Sequence, residues 1–331
     1  MIRCLLPKFW LRRTWISYLL IPVSLFYRCI IVGRRICYKI FKGNKLKVPV
    51  IVVGNLTVGG AGKTPLVIYL VGLLKNHGYK VGVISRGYGR KSREYLVVSQ
   101  NSRAIEVGDE PLLIFNKARV IVVVGEGRFK TAEIALTHGC NVIISDDGLQ
   151  HYSLMRDIEI VVIDQGVKFG NGFCLPAGPL REPVARLNQA DFIVTNFNSD
   201  EVSYAANGGN NKFLLEAKRF RNLVNEELFQ TPEFFIGKIV HAVAAIGRPQ
   251  KFFDTLHSLG LCFVEHSFPD HHMFSKVDLS FANEEIVVMT EKDSVKCKDW
   301  AGKNFWSLEV MVKADEDFDR RLLERLQGKN F

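Results

Sequence analysis

Residues 48–78 read VPVIVVGNLTVGGAGKTPLVIYLVGLLKNHG, and this stretch decides the fold. The run VPVIVV (48–53) is apolar and β-branched, the composition of a buried strand. GNLTVGGAGKTP (54–65) is a glycine-rich loop, and the apolar segment after it has the length of a helix. Pro65 suits the first turn of that helix and Gly78 its C-terminal stop. Strand, glycine loop and helix in this order turn backbone N–H groups toward phosphates. A lysine then reaches the β- and γ-phosphates and a hydroxyl holds Mg2+. Lys63 and Thr64 fill those places here, with Thr57, Val58, Gly59, Gly60, Ala61 and Gly62 completing the expected nucleotide loop. The pattern G-x-x-x-x-G-K-[ST] is broken once, by Thr57 at its first glycine. Val58 stands where a variant class of such loops carries a lysine.

Downstream, the strand NVIIS (141–145) delivers Asp146 and Asp147 at its C-terminal end, where open α/β sheets bind ligands. A carboxylate there can hold Mg2+, and a second can orient a nucleophile. Asp146 and Thr64 are the expected metal ligands. Apolar strand-like runs alternate with helix-length segments along the rest of the chain, which predicts parallel α/β architecture. Strands are expected at 49–53, 80–84, 95–98, 120–124, 141–145, 159–163 and 192–195, then at 239–245, 261–265, 285–290 and 305–308. The polar stretch NFNSDEVSYAANGGNN (196–211) reads as a linker between two such sets. The expected division is therefore an N-terminal helix over 1–35, a phosphate-loop domain over 36–200 and a smaller α/β domain over 201–331.

Upstream of the loop the charge is one-sided. The chain has 331 residues and a formal charge of +10, but residues 1–93 hold 18 Lys or Arg and no acid. The remainder has 26 basic against 34 acidic residues. Such asymmetry points to a polyanionic surface, nucleic acid or anionic lipid. Residues 14–27 (TWISYLLIPVSLFY) carry no charge, are flanked by basic residues on both sides, and include Trp15, Tyr18 and Tyr27. A span needs about 20 apolar residues, so the segment suits an anionic membrane surface better than a crossing or nucleic acid. The seven scattered cysteines form no CxxC pair and read as small buried hydrophobes of a reducing compartment.

The segments GNLTVGGAGKTP, SRGYGR (85–90), GDEP (108–111), DDGLQH (146–151), GNGFCLPAGPLREP (170–183) and TEKD (290–293) occur in an order that resembles the tetraacyldisaccharide 4'-kinase family. The resemblance implies two α/β/α domains of phosphate-loop NTPase type and a membrane-associating N-terminal helix. It also implies ATP- and Mg2+-dependent phosphorylation of the 4'-hydroxyl of a lipid A disaccharide 1-phosphate precursor, giving lipid IVA. The expected setting is the cytoplasmic face of the inner membrane, and the expected state a monomer. Carried over residue by residue, the family's catalytic groups match Lys63, Asp146 and Asp147, with Asp109 and His271 as a general-base dyad. Gln150, His151, Arg181 and Glu182 match its substrate-binding positions. A histidine base helps a sugar hydroxyl attack, and a carboxylate on its other nitrogen fixes the tautomer. Because Asp109 and His271 fall in different proposed domains, they are expected to meet only when both substrates close the protein. A guanine-specific reading fails, since TEKD has the letters of [NT]-K-x-D in the wrong order.

Overall fold

Thirteen strands join one mixed sheet in the computed structural model, which describes residues 7–40, 43–197, 211–282 and 284–328. Three helices come first: α1 (Lys8–Leu11), α2 (Trp15–Leu19) and α3 (Ile21–Ile40). Strand β1 (Val50–Gly54) leads into α4 (Lys63–Asn76), then β2 (Val81–Ser85), β3 (Leu96–Val97), α5 (Ala104–Val107) and α6 (Asp109–Ala118). Next come β4 (Ile121–Val124), α7 (Arg128–Thr137), β5 (Val142–Asp146), β6 (Ile158–Asp164) and β7 (Phe192–Phe197). The second part holds β8 (Asn211–Asn222), β9 (Phe229–Gln230), β10 (Val240–Ala244), α8 (Pro249–Ser258), β11 (Val264–Ser267) and β12 (Ile286–Thr290). It ends with α9 (Glu291–Cys297), β13 (Phe305–Ala314) and α10 (Glu316–Gln327).

The order across the sheet is β11-β10-β12-β13-β8-β7-β6-β1-β5-β2-β4-β3, with β9 hydrogen-bonded to β8. All pairs are parallel except β13–β8, β8–β9 and β3–β4. Strand β1 sits near the middle of the parallel part, between β5 and β6, and is buried along its length. Its side chains alternate. Ile51 and Val53 pack with Leu66, Leu70 and Leu74 of α4 on one face. Val50 and Val52 pack with Ala132 and Ala135 of α7 on the other. The C-terminal strands repeat the arrangement, with Ala242 and Val288 against Phe253 and Leu256 of α8. On their other face, Val243 and Met289 pack against Cys297 of α9. Helix α10 returns to the first part, where Phe318, Leu322 and Leu326 enter the same core as α4, so residues 316–327 share a core with residues of the 36–200 segment.

The predicted strands lie within a few residues of those observed, except that β13 runs on to Ala314 where an end at 308 is expected, and β8 and β9 are additional. Of the expected linker, residues 198–210 lie outside the described residues, and Asn211 opens β8. Cys140, Cys174 and Cys297 are buried as expected, whereas Cys29, Cys37 and Cys262 are exposed, and Cys4 lies outside the described residues.

Helix α3 is amphipathic in an inverted sense. Its inward seam is Ser24, Tyr27, Ile31 and Arg35, spaced to fall on one helical face. Ser24 Oγ donates to Cys174 O at 2.8 Å, Tyr27 Oη to Arg181 O at 3.1 Å, and Arg35 bonds Gln189. Val23, Phe26, Ile30 and Ile36 point outward, with Phe26 68% exposed, and Leu19 at the end of α2 is as exposed. No helix among the described residues is long and apolar enough to cross a membrane.

Gly54 ends β1 under the phosphate-loop segment, and a Cβ there would lie 2.4 Å from Leu149 Cβ and 3.0 Å from Leu149 N. Backbone cannot yield as a flexible side chain can. Gly54→Ala is expected to destabilise the protein by about 1–3 kcal/mol, the usual cost of overpacking, measured by urea unfolding.

Candidate active site

The glycine loop is held from beneath. Asn55, fully buried after β1, donates through Nδ2 to Thr57 O at 2.8 Å and to Gly59 O at 3.4 Å. Asn196 Nδ2 donates to Ala61 O at 3.2 Å. Gly62 precedes α4 with φ 87°, and a Cβ there would sit 2.6 Å from that same Asn196 nitrogen. Glycine is required on both counts. The segment 179–181 closes the other side, with Val58 N bonded to Pro179 O and Arg181 N to Leu56 O.

Lys63 projects from the first residue of α4 and donates to Asn55 Oδ1 at 3.1 Å, with Asp147 Oδ1 3.4 Å away. Asp147 has a left-handed backbone (φ 46°) and also receives Arg181 Nη1 at 3.1 Å. Burial opposes its charge, but Lys63 and Arg181 outweigh burial and pull the Asp147 carboxyl down to about 2. Asp146, one residue earlier, has the opposite surroundings. Both of its carboxylate oxygens are buried without a hydrogen-bond partner. Burial, Glu110 and Asp147 push it up to about 7, against Lys63 and Arg128. Arg128 opens α7, is 2% exposed, and donates to Asp146 O at 3.0 Å while its Nε and Nη1 lack partners. An orphaned buried carboxylate fits a divalent cation.

Gln150 Nε2 donates to Asn55 O at 3.2 Å and to Glu182 Oε1 at 3.1 Å. Glu182 is fully buried, and its other oxygen takes Tyr152 Oη with Arg186 beside it. Glu182 therefore braces Gln150 from the interior and does not line open space. His151 is neutral at pH 7, because burial and Arg128 hold it down to about 4.

Asp109 and His271 are already together. His271 Nδ1 lies 2.9 Å from Asp109 Oδ2, across 162 residues of chain. The expectation that they would stand apart without ligands is therefore corrected. Their contact rests on a seam of acids from the first part against bases from the second. Lys292 meets Glu110 at 3.0 Å, Arg248 pairs with Asp164, and Lys251 lies 3.7 Å from Asp164. Lys117–Glu291 runs the other way at 2.5 Å. Asp109 is the first residue of α6, where the helix N-terminus favours negative charge. Burial works against that charge, yet the His271 bond and Lys292 hold its carboxyl below the usual range. His271 has φ 60°, its N–H bonds Ala245 O at 3.2 Å, and the Tyr88 ring lies 4.8 Å from its own. Arg248 Nη2 reaches the loop carbonyl of Gly60 at 3.4 Å.

Sequence reasoning missed Asn55, Asn196, Arg128, Arg248 and the roles of Glu110 and Lys292. Asn55, Glu110 and Lys292 stand inside the segments GNLTVGGAGKTP, GDEP and TEKD, whereas Asn196, Arg128 and Arg248 stand in no motif.

A glycine loop between β1 and α4, an acid pair at the end of β5 and a carboxylate–histidine pair beside them define an α/β phosphotransferase. The family model described as Tetraacyldisaccharide-1-P 4'-kinase (LpxK) matches residues 16–327. The chain belongs to that family. It is 44% identical to the tetraacyldisaccharide 4'-kinase of Methylobacillus flagellatus over 326 residues, covering 96% of each chain. It is 41% identical to that of Nitrosococcus oceani, covering 98% of this chain and 94% of the relative. The solved structure of LpxK from Aquifex aeolicus in complex with ATP superposes with a TM-score of 0.80 at 33% identity, over 94% of this chain and 99% of that one.

Removing the unpartnered charge should stabilise the metal-free fold, because a buried carboxylate with no donor is costly. Asp146→Asn is expected to melt several degrees above the parent chain in chelator-treated buffer, followed by circular dichroism. The same variant should lose phosphoryl transfer.

Proposed function

We propose that this chain transfers the γ-phosphoryl group of ATP to the 4'-hydroxyl of a tetraacylated glucosamine disaccharide 1-phosphate, giving lipid IVA in lipid A biosynthesis. Family membership supports the reaction, and the ATP complex of the Aquifex relative supports the donor. The observation that carries the chemistry is the 2.9 Å contact between His271 Nδ1 and Asp109. It leaves Nε2 as the base for a sugar hydroxyl.

In this reading residues 57–64 cradle the phosphates, and Lys63 exchanges Asn55 and Asp147 for the transferring group. Asp146 and Thr64 would hold Mg2+, which when bound neutralises charge on the β- and γ-phosphates. The orphaned oxygens of Asp146 are the observation that fits the ion. Arg181, Gln150 and His151 face the acceptor side, with Glu182 fixing Gln150. The reading keeps two α/β/α domains of phosphate-loop type, divided near residue 200 with α10 returning to the first. It takes the protein as a monomer on the cytoplasmic face of the inner membrane, held there by α3.

Two outcomes follow. ATP consumption should rise when the lipid disaccharide is supplied, and Lys63→Ala should abolish the rise. Asp109→Ala and His271→Ala should each lower kcat by roughly 10²–10⁴-fold, while the double variant loses little more, because residues acting as a unit are not additive. Fully additive losses would make them independent binding residues.

The outward apolar face of α3 exceeds what a water-facing helix needs. Val23→Glu with Phe26→Glu should move the protein from the membrane pellet to the supernatant on sedimentation, with melting temperature unchanged. Retention in the pellet would remove α3 as the anchor.

A further inference from the structure

Lys292, the second residue of α9, lies among four groups that the reaction could use. Its Nζ is 3.0 Å from Glu110 Oε1, 3.6 Å from Asp270 Oδ1 and 3.9 Å from Asp109 Oδ2. It is also 3.3 Å from His271 Nε2. The last distance is the informative one. An ammonium has donors only, so Nε2 must offer it a lone pair. Nδ1 then carries the ring proton and donates it to Asp109. Asp109 and Lys292, placed on opposite nitrogens, thus favour one tautomer of the ring. Burial works against the charge of Lys292, but Glu110, Asp109 and Asp270 outweigh it and hold the ammonium above the ordinary lysine range.

We propose that Lys292 is a positioning residue that keeps His271 Nε2 free of a proton and sets how readily that nitrogen takes one. The proposal rests on the kinase reading above. The acceptor hydroxyl displaces the ammonium from Nε2. As the sugar oxygen bonds to the γ-phosphorus, its proton passes to Nε2, and the bond from that phosphorus to the β–γ bridging oxygen breaks, ADP keeping the electron pair. Lys292 stays with Glu110 and Asp270. A nearby ammonium disfavours the imidazolium, so the base is ready at lower pH and also releases its proton readily after transfer.

The groups facing His271 are Asp109 and Glu110 from α6, Asp270 beside it in the chain, Tyr88 from the loop after β2, and Lys292 from α9. Behind Lys292, Asp293 and Lys296 pair with each other at 2.6 Å. Two substitutions near Nε2 should therefore act in opposite directions. Lys292→Met removes a cation. Asp270→Asn removes an anion whose Oδ1 is 3.7 Å from Nε2.

The test is the pH dependence of kcat/KM for the lipid disaccharide at saturating ATP, with the melting temperature of each variant measured alongside. For Lys292→Met the acid limb should move to higher pH by about one unit, with activity partly recovered on the alkaline plateau. For Asp270→Asn it should move to lower pH. A folded Lys292→Met whose acid limb stays within about 0.2 units of the parent, whatever its loss in kcat, overturns the proposal and leaves Lys292 a filler of charge. Should Lys292→Met not fold, Asp270→Asn decides, and an unmoved or raised limb overturns it. A parent chain that does not phosphorylate the disaccharide would instead overturn the function proposed above.

Discussion

The antiparallel ladder between β8 and β13 is the constraint on which the rest depends. It runs from Phe213↔Ala314 to Asn222↔Trp306, with one irregularity at Glu309/Val310. At that point Glu309, buried, accepts from Arg219 at 2.8 Å and forms an ion pair with Arg221 at 2.9 Å. Cross-strand charge pairs of this kind fix register. The ladder makes the C-terminal strands continuous with the strands that carry the glycine loop. It thereby sets α9, which leads into β13, beside α6. Lys117–Glu291, Lys292–Glu110 and His271–Asp109 all follow from that placement.

Much of the site was legible because its signals are local. A strand, a glycine loop and a helix are adjacent in sequence, and so are β5 and its two acids. Asp109 and His271 were legible only through resemblance, since no periodicity links positions 162 apart. The joining strand was not legible at all. NKFLLEAKRFRN mixes charge and apolar residues, and its burial alternates only at the two ends. A strand stabilised by a distant partner leaves little pattern of its own. Arg128 was hidden for another reason. A guanidinium that is 2% exposed and mostly unpartnered contradicts what composition leads one to expect of arginine.

Asp146 and Asp147 show how far neighbours can diverge. Their letters are identical, yet the left-handed turn at Asp147 swings its carboxylate to Lys63 and Arg181, and Asp146 is left facing the interior. One carboxylate is neutralised by the protein. The other is buried with no donor on either oxygen. The division of labour comes from backbone geometry, which two adjacent aspartates do not announce.

The order of synthesis gives the long separation of Asp109 from His271 a temporal meaning. The acid pair is complete at residue 147, whereas the histidine arrives 124 residues later and Lys292 145 residues later. At about 5–20 residues per second that gap lasts roughly 6–30 s. On the roles proposed here, the groups that would hold the phosphates are made long before the base that would activate a hydroxyl. On those roles a copy cut short before residue 271 carries the loop and the acid pair without the base.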